Sequence, residues 1–148
     1  MLAEEFLGGL ALPLPITALR LFGAAALCAV IGMEREASDR AAGLRTHMLV
    51  GTASAAFALI TLNLIELNAG RPDVIRMDPI RLVEAATAGV AFLAAGMIVL
   101  SRGEVRNLTT GAGMWLAAGI GLACGLGLWP IAAMAAALGL AIVLIRIG

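Results

Sequence analysis

The 148-residue sequence predicts an all-α membrane protein, a bundle of five transmembrane helices with the N-terminus outside and the C-terminus cytoplasmic. Three observations predict it. Hydrophobic residues make up 61% of the chain and charged residues 14%, with a mean hydropathy of +1.01, far from soluble usage. Apolar segments recur from end to end at about 20 residues each, the length at which a helix crosses hydrocarbon with its backbone hydrogen bonds satisfied. Arginines gather in the connectors near the segment ends, where their distribution sets orientation. The length suits one domain over residues 1–148.

The first span covers roughly residues 16–33. It follows "MLAEEFLGGLALPLP", which has acids where a secretory signal has basic residues, so this helix is expected to be retained. The second covers roughly 47–67 and the third 80–100. Asp78 before Pro79 forms a helix start, the carboxylate accepting backbone N–H bonds while proline takes the first helical position. The fourth and fifth cover roughly 111–128 and 130–147, with Pro130 in "GLWPI" setting the boundary of an uncharged hairpin. With the N-terminus outside, Arg35, Arg40, Arg45, Arg102, Arg106 and Arg146 are cytoplasmic, against Arg20, Arg71, Arg76 and Arg81 outside.

The spans are rich in Gly and Ala, and helices in lipid associate by close packing. The fourth carries two rows at spacing four, Ala117, Gly121, Gly125 and Gly119, Ala123, Gly127, and the fifth carries Ala133, Ala137, Ala141 and Ala135, Gly139. Intramolecular packing accounts for most of these; the number of small faces also leaves room for a homodimer.

Charge collects at two places. At the membrane charged site, Asp78, Arg81 and Glu84 recur at spacing three near one helix face, and Arg20 starts the first helix on the same side. Two readings stand: paired anchors that hold helix ends, or an entry site for a proton or cation. The cytoplasmic motif is denser, with Glu34, Arg35, Glu36, Arg45 and Thr46 in and after the first connector, and Arg106, Thr109 and Thr110 before the fourth helix. Thr109 and Thr110 are placed to cap that helix, and a Glu34 or Glu36 carboxylate brought to its N-terminus would lock helices one and four. An ion, a lipid phosphate or a partner protein would suit the same groups. His47, the single histidine, is expected as a polar anchor at the interface or as a pH sensor.

Ten arginines balance ten acids with no lysine, which gives no argument for nucleic acid. Cys28 and Cys124 lie in separate spans without a CxxC, so no metal site is expected and both read as small core residues. No catalytic motif is present, no catalytic residue is assigned, and no cofactor is implied.

The motifs "IGMERE", "AGLRTHMLV", "DPIRL", "GVAFLAAGMI" and "VRNLTTGAGMWLAAGIGLACGLGLW", in that order over roughly residues 20–130, resemble the membrane domain of the MgtC/SapB family. The resemblance implies a five-helix, multi-pass protein of the bacterial cell inner membrane. It also implies association with growth in low magnesium, with survival in host phagocytes and, for some members, with restraint of the rotary ATP synthase. Gly32, Glu34, Arg35, Gly43, Leu44, Arg45, Thr46, Asp78, Arg81, Gly96, Arg106, Leu108, Thr110 and Trp115 match the pattern. Ala91, Ala95 and Asn107 stand where the family usually has glycine, and Glu84 where a small apolar residue is common, which suggests relaxed packing of helix three. The chain ends at Gly148, so the soluble domain of the longer members is not expected in it.

These readings lead to one expectation and two alternatives. The leading one is a non-enzymatic membrane protein that modulates other membrane machinery or Mg²⁺ and proton homeostasis through its charged cytoplasmic face. The alternatives are a Mg²⁺ or proton transporter using Asp78, Arg81 and Glu84, and a structural scaffold. Partners are the lipid bilayer, a second copy of the chain, and a membrane protein, with ATP synthase brought in by resemblance alone.

Overall fold

The structure is a computed structural model that describes residues 9–69, 78–101 and 104–145. It contains five helices, α1 (Leu14–Ala37), α2 (Leu44–Leu67), α3 (Ile80–Met97), α4 (Leu108–Leu126) and α5 (Trp129–Leu144). Between α3 and α4 stands a short antiparallel hairpin, β1 (Val99–Ser101) and β2 (Glu104–Arg106), which pairs Val99 with Arg106. Helices α1 to α4 are long and apolar enough to cross a membrane. Helix α5 is apolar but has 16 residues, short of a full span.

The observed bounds correct the expected ones. Helix α1 runs four residues past residue 33, through the whole "MERE" motif, and ends where Asp39 takes a left-handed backbone (φ 51°). The Arg40 N–H then closes back onto the Arg35 carbonyl at 3.0 Å, the wrap-around bond of a helix C-terminus. Helix α3 stops at Met97, because Ile98 is extended and the chain turns into the hairpin. Pro130 does not make the last boundary. Gly127, at φ +79°, ends α4, with Leu128 N–H bonded to the Ala123 carbonyl at 2.8 Å, and Pro130 sits inside the first turn of α5. Residue 147, the expected end of helix five, lies outside the described residues, as do Arg71, Arg76, Arg102 and Arg146. The Asp78 carboxylate accepts a backbone N–H as expected, Oδ1 from Ile80 at 2.9 Å, but Pro79 is the N-cap and the first helical position is Ile80.

Helix α4 is the centre of the bundle, packing most extensively on α2 and touching α1, α3 and α5 as well. Its Ala117, Gly121, Gly125 row is buried, and glycine there is a requirement of space. A Cβ on Gly121 would overlap the Gly51 backbone of α2, and one on Gly125 would stand 2.6 Å from the Ala55 carbonyl oxygen. Cys28 of α1 fills the other side of Gly51 and donates its thiol to the Ala117 carbonyl at 3.4 Å. The second row of α4 divides, with Ala123 buried and Gly119 exposed with open space beside it. On α5, Gly139 packs against Ile31 and Leu116, whereas Ala133, Ala137 and Ala141 face outward.

Asn107 connects the hairpin to α4 at φ 64°, a conformation asparagine tolerates better than other non-glycine residues. Its side-chain amide donates to the Met97 carbonyl at 3.0 Å and so closes the C-terminus of α3.

Gly121→Ala should lower the unfolding free energy in detergent by about 1–3 kcal/mol through overpacking, while Gly119→Ala leaves it unchanged; thermal unfolding of the two variants checks this. Asn107→Ala should cost about 2 kcal/mol by combining a left-handed alanine with a lost hydrogen bond. Asn107→Gly, which loses only the bond, should cost about 1 kcal/mol in the same assay.

Candidate functional site: an arginine-lined cleft at one end of the bundle

The C-terminal ends of α1 and α5 meet the N-terminal end of α4, and between them opens a cleft of about 940 Å³. Glu34, Arg35, Ser38 and Arg40 line it from α1 and its connector, Arg106 to Thr110 from the hairpin and α4, and Ile142, Val143 and Ile145 from α5. The sequence motifs "MERE" and "VRNLTT" therefore form one site.

Arg35 is its fixed point. Its side chain is 4% exposed, and a buried guanidinium needs partners for its N–H groups. Nε donates to Glu34 Oε2 at 2.5 Å and Nη2 to the Val143 carbonyl at 3.2 Å. The second contact places a cation on a C-terminal carbonyl of α5, where the helix dipole favours it. Glu34 Oε1 accepts the Ser38 hydroxyl at 2.8 Å, so both carboxylate oxygens are engaged. Arg35–Glu34 is the ion pair formed among the described residues, and Arg40 and Arg106 stand exposed on the rim. Among the described residues, three arginines against one carboxylate make the lining cationic.

The expected lock between α1 and α4 takes another form. Two residues apart on a continuous helix, Glu34 and Glu36 point about 200° apart. Glu36 turns to α2, where Oε2 accepts the Leu44 N–H at 2.8 Å, and the missing side chain of Gly43 makes room for it. Thr109 and Thr110 do not cap α4, because the helix starts at Leu108 and they lie within its first turn. Thr110 is buried and Thr109 exposed, both against the cleft. Arg45 and Thr46 sit in the first turn of α2, outside the lining.

His47 is wholly buried, in place of an interfacial anchor. Gly32 and Gly113 leave the space its ring occupies between α1 and α4. Nδ1 lies 2.9 Å from the Gly43 carbonyl, and Nε2 is buried with no partner among the described residues.

The membrane charged site is not drawn together. Asp78, Arg81 and Glu84 are exposed on the start of α3, with no ion pair joining them among the described residues. Arg20 lies elsewhere: its Nη1 donates to the Gly125 carbonyl at 2.7 Å, on the C-terminus of α4, and its guanidinium fills the space beside Gly127. Among the described residues, no group of three His, Cys, Asp or Glu side chains forms a metal-binding cluster. The contacts that sequence reasoning missed, Arg35 to Val143 and Asn107 to Met97, end on backbone carbonyls, which carry no residue signature.

Fold and site together define a multi-helix membrane protein with a cationic cleft at one end of a close-packed bundle. The chain belongs to the MgtC family, whose model matches residues 21–147. Over 108 residues it is 37% identical to the putative magnesium transporter YhiD of Escherichia coli (strain K12), covering 70% of this chain and 48% of that protein. Over 106 residues it is 40% identical to protein MgtC of Salmonella typhimurium (strain LT2), covering 72% and 42%. It is also 34% identical over 98 residues to an uncharacterized protein of Haemophilus influenzae, covering 66% and 41%. The chain thus spans less than half the length of the relatives it matches. No solved structure matches it.

Arg35→Ala should destabilise the protein by about 3 kcal/mol, since it leaves Glu34 unpaired beside apolar surface. Arg106→Ala, on the rim, should stay within about 0.5 kcal/mol of the parent. Thermal unfolding of both variants in one detergent is the measurement.

Proposed function

We propose that the chain is a non-enzymatic, multi-pass protein of the bacterial inner membrane that serves magnesium homeostasis by binding other membrane machinery through the Arg35–Arg106 cleft, with that cleft cytoplasmic. The carrying observation is the cleft itself: about 940 Å³, cationic among its described residues, and built on the ion pair of buried Arg35 with half-buried Glu34. Such a surface suits an acidic segment of a partner, with Arg40 and Arg106 as the adjustable contacts and Arg35 as the fixed one. The name of the YhiD relative, a putative magnesium transporter, supports the magnesium context. A partner from the ATP synthase is the family-derived candidate.

Transport is the second reading, favoured by the name of the YhiD relative. It assigns Asp78, Arg81 and Glu84 as the entry. The interior between α1, α2 and α4 supports the first reading, since Ala24, Cys28, Ile31, Ala117 and Ile120 fill it with fully buried apolar side chains.

Site-specific cross-linking in native membranes from residue 106, with and without Arg40→Ala, should yield a discrete partner adduct that falls several-fold in the variant while melting is unchanged. Liposomes holding the purified protein should show no Mg²⁺ or proton flux above empty ones. Flux that Glu84→Ala abolishes, in a folded protein, establishes the transport reading instead.

A further inference from the structure

A second recess lies on the flank of the bundle, away from the cleft. Helix α3 packs chiefly on α4 and only lightly on α2, so a groove of about 660 Å³ remains between α2 and α3. Phe57 and Ile60 form one wall, and Leu82, Ala85, Ala86 and Gly89 the other. Past Leu82 the second wall carries only small residues, and a Cβ on Gly89 would meet nothing within 4 Å. Thr61, the one polar residue inside among the described residues, donates its hydroxyl to the Phe57 carbonyl of its own helix at 2.9 Å. The mouth is different. Asp78 and Arg81, both exposed and one turn apart, stand there with opposite charges.

Helices α2 and α3 are each long and apolar enough to cross the membrane, so this flank faces lipid. From Arg81 to Gly89 the wall runs about 12 Å, close to the roughly 15 Å of hydrocarbon in one leaflet. An apolar slot of that depth with a charge pair at its mouth has the form of one lipid molecule: acyl chain along the wall, headgroup at the helix start.

We propose that this groove holds a single zwitterionic phospholipid whose headgroup carries a primary ammonium, of phosphatidylethanolamine type. Arg81 takes the phosphate, as arginine does through its planar fork of donors. Asp78 takes the ammonium. One of its oxygens caps the Ile80 N–H, and the other has no hydrogen-bond partner among the described residues. The opposite charges of the pair match a zwitterion and disfavour a purely anionic headgroup, which would meet the Asp78 carboxylate. Glu84 is not among the lining residues, so it takes no part.

The test is native mass spectrometry of the full chain in mild detergent with an equimolar mixture of dioleoyl phosphatidylethanolamine, phosphatidylglycerol and phosphatidylcholine. One bound lipid per chain is expected, with phosphatidylethanolamine retained several-fold over the other two. Arg81→Gln should reduce retention of all three about tenfold. Asp78→Asn, which keeps the helix cap, should retain lipid but lose the preference for phosphatidylethanolamine over phosphatidylcholine. Gly89→Phe should fill the slot and abolish the single-lipid adduct with an unchanged melting temperature. Equal retention in all variants, preference for phosphatidylglycerol, or a dimer without bound lipid overturns the proposal.

Discussion

The close approach of α2 and α4 at Gly51 and Gly121 is the contact on which the rest of the bundle depends. Lipid supplies no apolar driving force between helices, so they hold together by van der Waals contact, which falls off within an ångström of separation. With no side chain on either glycine, backbone meets backbone, and Gly125 extends the contact to Ala55 and Ala58. Cys28 and Ala24 of α1 close over the same point from the other side. Helix α4 is thereby enclosed along most of its length. Its N-terminus becomes a wall of the cleft, and its C-terminus the seat of Arg20.

Two arginines on α1 then fix the ends. Arg20 and Arg35 are 15 residues apart, about 22 Å along the helix, and each donates to a carbonyl near the C-terminus of another helix, Gly125 of α4 and Val143 of α5. Those carbonyls lack intrahelical donors, and the dipole concentrates negative potential there, so a cation at each end is stabilised without a long-range search for a carboxylate. The polar chemistry of α1 stays at its two ends, with a close-packed apolar stretch between. At the Arg35 end the guanidinium is tied both to Glu34 beside it and to the Val143 carbonyl of α5, so the two helix ends that border the cleft are joined directly.

Much of this was legible in the sequence. The five apolar helices follow from the recurring hydrophobic runs, although α5 is shorter than the span expected of it, the Asp78 carboxylate cap follows from capping chemistry, and the meeting of "MERE" with "VRNLTT" from their charge pattern. The buried row Ala117, Gly121, Gly125 was found by spacing, but spacing alone also picked out Ala133, Ala137 and Ala141, which face outward. In an alanine-rich helix every face has such a row, and only the neighbours decide which is used. The hairpin was invisible because three-residue strands carry no period. Charge alone groups Arg20 with Asp78, Arg81 and Glu84, while its actual acceptor, the Gly125 backbone carbonyl, has no letter in the sequence.

The departures from the family's glycine pattern also change meaning once placed. Ala91 and Ala95 suggested looser packing of helix three, yet both are exposed, and the contacts of α3 run through Ala86, Val90 and Ala94 on the opposite side. Alanine at 91 and 95 therefore alters the outer face of the helix and leaves its seat on α4 intact. Asn107 occupies a position whose positive φ explains why glycine is usual there, and asparagine meets the same backbone demand while adding a bond to Met97 that glycine cannot make. That bond ties the end of α3 to the start of α4 across the hairpin. Asn107 also lines the cleft, so this bond between the end of α3 and the start of α4 is part of the cleft wall.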